Sequence, residues 1–313
     1  TLVEPRLPNL AEKENVYLYP VSDSEKIEEL LDNTDLYLDI NYGGEVDGVF
    51  NLLSDKSIPS FAFYKTQNGE KGQYLFSIKN VDAMVAAIRN YAEIKQLPNK
   101  PFDFEVQTID ETLDYILEHQ SSIARFGDGE AAIMLGQSIN YQKYDPNLAE
   151  ELKFIFNQES SPTLVIGLQE GLKNRFSFVP DALAFWRQYL EDYEEFYLEY
   201  CKNSWYGSTF ISRPYIDFLD NSKAKSQFEK LKKLWEGRDI LIVEGYASRS
   251  GVGNDLFDGA KSIKRIICPS RHAYDKKDEI MEAIVNHADG RLVLLMLGPT
   301  AKVLAYQLTT KGM

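Results

Sequence analysis

The stretch ILIVEGYASRSGVGND, residues 240–255, decides the fold. Ile240–Val243 are four β-prone apolar residues in a row, as in a strand of a parallel sheet covered on both faces. A turn with Gly245, Gly251 and Gly253 follows, and Asp255 opens a predicted helix over Asp255–Ala260. The same order recurs in SIARFGDGE, residues 122–130, with a strand over Ser122–Phe126 and a helix from about Glu130. It recurs again in LVLLMLGPT, residues 292–300, with a strand over Leu292–Leu297 and a helix over Ala301–Thr310 capped by Thr300. Strands alternating with helices imply an α/β fold, a Rossmann-like, mostly parallel sheet. Ligands of such sheets bind beyond the carboxyl ends of the strands.

Outward from these stretches, Ile109–His119 reads as a helix with Thr108 as cap and Glu111 completing a capping box. Further strands are expected at Thr163–Ile166 and Arg265–Cys268, and further helices at Asp181–Lys202 and Asp278–His287. Gly312 stands where a helix C-terminal glycine belongs, and the alternation then calls for another strand. A smaller α/β layer comes first. Val16–Tyr19, Leu36–Ile40 and Phe61–Tyr64 read as its strands. Ser24–Leu31 (capped by Ser22 or Asp23), Glu45–Leu53 and Val81–Ile94 read as its helices. Two prolines in Leu97–Pro101 make a linker, so the expected domains are residues 1–98 and 103–313, the second C-terminally truncated.

The 313 residues are 44% hydrophobic and 26% charged, a globular composition. A formal charge of -14 argues against nucleic acid and anionic lipid, both of which need clustered Lys and Arg. It leaves room for a local positive pocket around one diphosphate. Cys201 and Cys268 are too few for a disulfide framework, and His119, His272 and His287 lack zinc-ligand spacing. No apolar run approaches the roughly 18–20 residues that span a bilayer. A cytoplasmic protein is expected, although the sequence opens at Thr1 without Met.

The strand ends carry the chemistry. Arg125, Gly127, Asp128 and Glu130 form the densest group. Were the strand geometry to persist, Asp128 and Glu130 would point the same way, and the glycines would let a diphosphate approach the backbone. Two such oxygens suit Mg²⁺ or Mn²⁺, which keep waters and take phosphate ligands. The plainer alternative has Asp128 capping the helix and Glu130 in its first turn. In the second group, Glu244, Arg249, Gly251, Gly253, Asn254 and Asp255, backbone N–H groups face an anion and Arg249 adds a charged contact; a flexible turn capped by Asp255 is the alternative. Leu256 stands where a Rossmann fingerprint needs its third glycine, which weakens an NAD reading. Gly298 and Thr300 repeat the logic more weakly. Ser212, Arg213 and Tyr215 close an aromatic stretch from Trp205 that suits a uracil or sugar platform, or the edge of a core. The aromatic series from Phe185 to Tyr200 has the spacing of a packed helix face.

At these residues the sequence resembles the GT-D glycosyltransferase domain, formerly DUF1792, of enzymes that build glycans on serine-rich repeat adhesins in streptococci. Ile123–Glu130, Val243–Phe257, Ile263–Asp275 and Leu297–Tyr306 carry the resemblance, in order, over residues 103–313. It implies a Rossmann-like fold, a UDP-sugar donor such as UDP-glucose, and Mn²⁺ or Mg²⁺ at Asp128-Gly129-Glu130. The implied acceptor is a glycan on a serine-rich repeat protein. A homodimer is compatible with it. The catalytic base is unassigned, its expected place lying in a segment rich in Asp, His and Glu beyond residue 313. Residues 16–94 look similar to the carboxyl half of another streptococcal glycosyltransferase module, implying scaffold or acceptor-docking duty. The rival readings are a non-catalytic nucleotide-sugar-binding partner module and a metal-dependent phosphohydrolase.

Overall fold

The computed structural model describes residues 24–40, 42–44, 48–56, 58–68, 73–96, 102–172, 178–218 and 221–313. The expected strand Val16–Tyr19, the caps Ser22 and Asp23 and most of the expected linker lie outside them. The chain divides into two compact units, residues 1–88 and 89–313.

The first unit contains α1 (Ser24–Asp32), β1 (Tyr37–Asp39), α2 (Val49–Asp55), β2 (Ser60–Phe63) and β3 (Gln73–Phe76), and α3 (Val81–Gln96) begins in it. Its strands pair in parallel in the order β1-β2-β3. α2 is described from Val49, after the left-handed Gly48, and residues 45–47 of the expected helix Glu45–Leu53 lie outside the described residues. Strand β3 is not evident in the sequence, being only four residues behind a polar, glycine-bearing run. Its Tyr74 nonetheless stacks on Phe61 at 4.6 Å, both fully buried. Asp39 is buried because its carboxylate accepts from the backbone N–H (2.7 Å) and side-chain amide (2.9 Å) of Asn68, which fixes the turn after β2.

Among its described residues the second unit holds seven parallel strands in two sheets. The first has the order β4-β7-β6-β5 and comprises Glu105–Val106, Trp205–Ser208, Leu164–Leu168 and Ser122–Arg125. The second has the order β10-β8-β9 and comprises Leu292–Met296, Asp239–Gly245 and Ser262–Cys268. The helices are α4 (Ile109–His119), α5 (Asp128–Met134), α6 (Pro146–Phe156), α7 (Pro180–Tyr200), α8 (Ala224–Lys232), α9 (Lys277–Ala288) and α10 (Thr300–Thr310). The expected α/β architecture with mostly parallel sheets is thus present.

Local chemistry sets the boundaries. The predicted capping box opens α4: Thr108 Oγ1 accepts from Glu111 N (3.3 Å) and Glu111 Oε2 from Thr108 N (2.9 Å). α6 was not foreseen, although its signal is present: Asp145 caps Asn147 and Leu148, Pro146 takes the first turn, and Leu148, Leu152, Ile155 and Phe156 face inward. α10 ends in a Schellman closure, Met313 N donating to Leu308 O and Gly312 N to Thr309 O, with Gly312 at φ 75°. Its cap differs from expectation. Pro299 occupies the N-cap and Thr300 is the first helical residue, fully buried. The core of the second sheet packs Leu241 and Val243 of β8 against Ile284 of α9 and Leu304 of α10. Helix α7 buries Trp186, Tyr189, Phe196 and Tyr197, the packed face its spacing predicts.

Candidate functional site at the strand ends

Strand β5 ends at Arg125, Gly127 caps α5, and Asp128 is already helical. The strand geometry therefore does not persist, and the two acids diverge. A helix turns residues two apart to different faces, whereas a strand would align them. Asp128 stands exposed, with no hydrogen bond or ion pair among the described residues. Glu130 is buried: Oε2 accepts from Gly127 N at 2.7 Å, and Oε1 accepts from Lys302 Nζ at 2.6 Å. Lys302 also donates to Gly298 O at 3.2 Å, so one ammonium ties the β5 turn to the β10 turn.

Tyr141 reinforces that junction. A Cβ on Gly298, which has φ 56°, would lie 2.9 Å from the Tyr141 ring, and one on Gly129 would lie 3.7 Å from its hydroxyl. Burial, then the charges of Glu130 and Asp128, raise the Tyr141 pKa, which places this phenol in the field of both acids. His272, in left-handed backbone, donates its N–H to Tyr141 O at 2.8 Å and accepts from Lys143 N at 3.1 Å through Nδ1. Lys302 and Tyr141 carry no motif and were missed. Only their position at a helix start and in a short hairpin-like loop hints at a role.

Arg125 and Ser212 meet, but each is occupied by the other. The guanidinium donates to Ser212 Oγ at 2.6 Å and to Thr209 O at 2.9 Å, holding the 3₁₀ turn Thr209–Ser212 over the sheet. Burial lowers the Arg125 pKa, Glu130 opposing and Arg213 adding to the effect. Arg213 pairs with Asp217 at 2.7 Å and lies over Phe210. Tyr215 is exposed and edges toward Phe228. The rest of the aromatic stretch from Trp205 is core: Tyr206, Ser208, Phe210 and Ile211 are buried, so they form no open platform.

The glycine turn after β8 is a chain of turns, not a helix start. The expected helix Asp255–Ala260 does not form. Arg249, Gly251 and Gly253 have φ of 51°, 71° and 84°, and 255–260 closes by three-residue turns, Asp258 N donating to Asp255 O at 3.2 Å and Ala260 N to Phe257 O at 3.0 Å, despite a cap-like bond from Leu256 N to Asn254 Oδ1 at 3.0 Å. Gly251 is required twice, since a Cβ would lie 2.3 Å from the Phe257 ring. Glu244 is buried. It pairs with Arg265 and accepts from Ser250 N at 2.8 Å, while Arg265 donates to Ser250 O at 2.7 Å. Burial works to raise the Glu244 pKa, but the Ser250 and Arg265 bonds prevail and lower it. Asp255 is exposed, 3.6 Å from Lys232, and Arg249 is exposed and unpaired among the described residues. Thr300 keeps its buried Oγ1 without a partner among the described residues.

At the end of β6, Glu170 was not singled out by sequence. Burial, moderated by Ser208, pushes its pKa to about 7. Among the described residues no three or more His, Cys, Asp or Glu side chains gather as a metal cage, and no helix is long and apolar enough to cross a membrane.

Residues 123–313 match the family model of the glycosyltransferase GT-D fold. The chain belongs to the GT-D glycosyltransferase family. Residues 1–102 match the GftB/GlyA-F C-terminal domain. Glycosyltransferase GlyD of Streptococcus pneumoniae serotype 4 (strain ATCC BAA-334 / TIGR4) is 49% identical over 100% of this chain and 38% of its own length. The probable glycosyl transferase Gly of Streptococcus gordonii is 47% identical over 91% of this chain and 42% of its own. The chain thus spans about two fifths of these curated relatives. A solved glycosyltransferase (DUF1792) from Streptococcus sanguinis is 51% identical, with a TM-score of 0.66, over 67% of this chain and 78% of that one. The solved domain of unknown function 1792, described as a distinct glycosyltransferase fold, is 48% identical, with a TM-score of 0.67, over 71% of this chain and 79% of that one. The GT-D match includes the strand ends of β5, β8 and β10.

Proposed function

We propose that this chain is the GT-D part of a metal-dependent glycosyltransferase that moves a hexose, glucose, from a UDP-sugar to the glycan of a serine-rich repeat protein in the cytoplasm. The observation that carries this reading is the free Asp128 carboxylate at the start of α5, beside the Glu130–Lys302–Gly298 link, in a chain of this family. Of the two acids only Asp128 has a free carboxylate, and one such oxygen donor suits Mn²⁺ or Mg²⁺ that keeps waters and takes diphosphate oxygens. Asp128 would hold the cation directly. Glu130 would share the oxygen it now gives Lys302. When bound, such a cation supplies positive charge against the departing UDP.

The chain's own residues do the rest. Gly127 gives its N–H to Glu130 and leaves room for that carboxylate, which a Cβ would approach to 3.3 Å, and Arg249 has a free guanidinium for phosphate. The acceptor oxygen bonds to the anomeric carbon as that carbon's bond to the β-phosphate oxygen breaks, UDP leaves with the electron pair, and the hydroxyl proton passes to a base unassigned among the described residues. Residues 1–102 serve as scaffold or acceptor dock. Calorimetric titration of the full-length protein with UDP, with and without Mn²⁺, tests the reading. Mn²⁺ should strengthen UDP binding in the natural protein and not in Asp128→Ala. Equal affinity in the two would show the metal assignment to be wrong. Acceptor-dependent consumption of UDP-glucose separates transfer from hydrolysis, and binding without turnover would leave a nucleotide-sugar-binding module.

A further inference from the structure

Helix α7 joins β6 to β7, which pair in parallel, so its first turns lie at the carboxyl ends of those strands and its last turns at their amino ends. Ligands of such sheets bind at the carboxyl ends. Phe185 stands in the second turn. On a helix that otherwise turns its rings inward, it is 47% exposed. Its ring heads a stack: Phe185 lies on Tyr189 at 5.5 Å and Tyr189 on Tyr193 at 4.6 Å, both pairs with 19° between the ring planes. A spacing of four keeps the three rings on one side of the helix.

Hydrogen bonds anchor this stack beside both ends of α5. Tyr189 and Tyr197 join hydroxyls, and Tyr197 donates to Gln169 Oε1 at 3.3 Å. The Gln169 amide in turn lies 3.9 Å from where a Cβ on Gly127 would stand. Tyr193 donates to Gln137 Oε1 at 3.3 Å, just past the last turn of α5. Burial raises the pKa of Tyr189 and Tyr193, and the Asp128 charge adds to it, so both phenols lie in the field of that free carboxylate.

The surroundings of Phe185 suit a sugar. A pyranose has an apolar C–H face and a rim of hydroxyls, which fits an exposed ring flanked by hydrogen-bonding groups. Gln188 and Asp192, three and seven residues further on, share the helix face of Phe185 and are exposed. The Gln188 amide donates to both Asp192 oxygens at 3.3 Å, which sets the pair side by side. A protein partner needs a much wider apolar area, and exposed Glu191 and Asp192 interrupt one here. The phosphate-facing groups stand apart: Arg249 and the glycine turn follow β8, a strand of the other sheet.

We propose that Phe185, backed by Tyr189 and Tyr193, is the platform for a pyranose of the acceptor glycan, with Gln188 and Asp192 taking its hydroxyls. Calling that sugar the acceptor rests on the transfer reading above, whereas the platform itself does not. Saturation-transfer NMR titrations of the full-length protein with methyl β-glucoside and methyl β-N-acetylglucosaminide, without nucleotide or metal, test it. At least one of the two should receive saturation on the C–H protons of one ring face. Phe185→Leu, which keeps apolar bulk but loses the ring, should weaken that binding at least about 5-fold, and Phe185→Tyr should stay within about 2-fold of the natural protein. UDP affinity in the presence of Mn²⁺ should be the same in all three. No saturation of either pyranoside, or unchanged affinity in Phe185→Leu, overturns the proposal. A parallel loss of UDP affinity in Phe185→Leu would put the ring in the donor site and overturns the acceptor assignment. Failure of the natural protein to bind UDP, with the Phe185 effect intact, counts against the donor reading and supports the platform.

Discussion

Replacing Lys302 by methionine removes the cation that accompanies Glu130 while keeping most of the side chain's bulk. The two side chains are 14% and 8% exposed, so the carboxylate left behind has little water to turn to, and one of its oxygens keeps only the Gly127 N–H. Breaking a buried pair from one side costs about 3–5 kcal/mol, which for a unit of this size lowers Tm by about 6–20 °C. The double variant Glu130→Gln/Lys302→Met leaves no orphaned charge, so it should be more stable than Lys302→Met alone. Denaturant titrations of natural protein, both single variants and the double variant give the cycle. A loss below about 1 kcal/mol for Lys302→Met, or a double variant equal to the sum of the singles, refutes the claim that this pair joins the β5 and β10 turns. Mn²⁺ adds a further arm. If Glu130 can share a cation, saturating Mn²⁺, at about 100 times its Kd, should restore about 2.7 kcal/mol to Lys302→Met and less to the natural protein.

Two predictions concern other positions. Gly251→Ala combines left-handed backbone, about 1–2 kcal/mol, with overlap against Phe257, about 1–3 kcal/mol, whereas Gly253→Ala meets open space and pays only the first. Equal unfolding midpoints for the two variants would contradict the packing at Phe257. Glu170 should make stability pH-dependent. Its folded pKa of about 7, against an ordinary 4.5, means that the folded state keeps a proton the unfolded chain has shed. Stability is therefore lost as pH rises from about 4.5 to about 7, by about 3 kcal/mol, and Glu170→Gln should flatten that slope in melting curves. Parallel profiles for the two proteins would count against the assigned burial.

Where periodicity and caps agree, the fold is legible. Thr108 and Glu111 announce α4, and the apolar run of residues 292–296 announces β10. The strands that escaped, β3, β4 and β7, are short, with Gln, Glu, Gly or Ser among their few residues, and their pairing depends on neighbours far away in the chain. At the site, the sequence identifies the strand ends but not the local backbone. Asp128 and Glu130 look alike two residues apart, and only the immediate start of α5 makes one exposed and the other buried. The glycines at 251 and 253 mark a turn but do not reveal that residues 255–260 close in successive three-residue turns rather than a helix. Lys302 and Tyr141 become visible only once α10 and the 139–142 loop are brought beside β5, because a long-range ion pair leaves no trace in spacing.

The hold of Glu244 and Arg265 on Ser250 has a mechanical side. It staples the middle of the connection that leaves β8 to the flank of β9, so the span is split into two brief arcs, one carrying Arg249 and the other Gly251 and Gly253. Short arcs have little freedom to surrender when something docks on them. Whatever docks there meets a half-rigid rim rather than one long free loop.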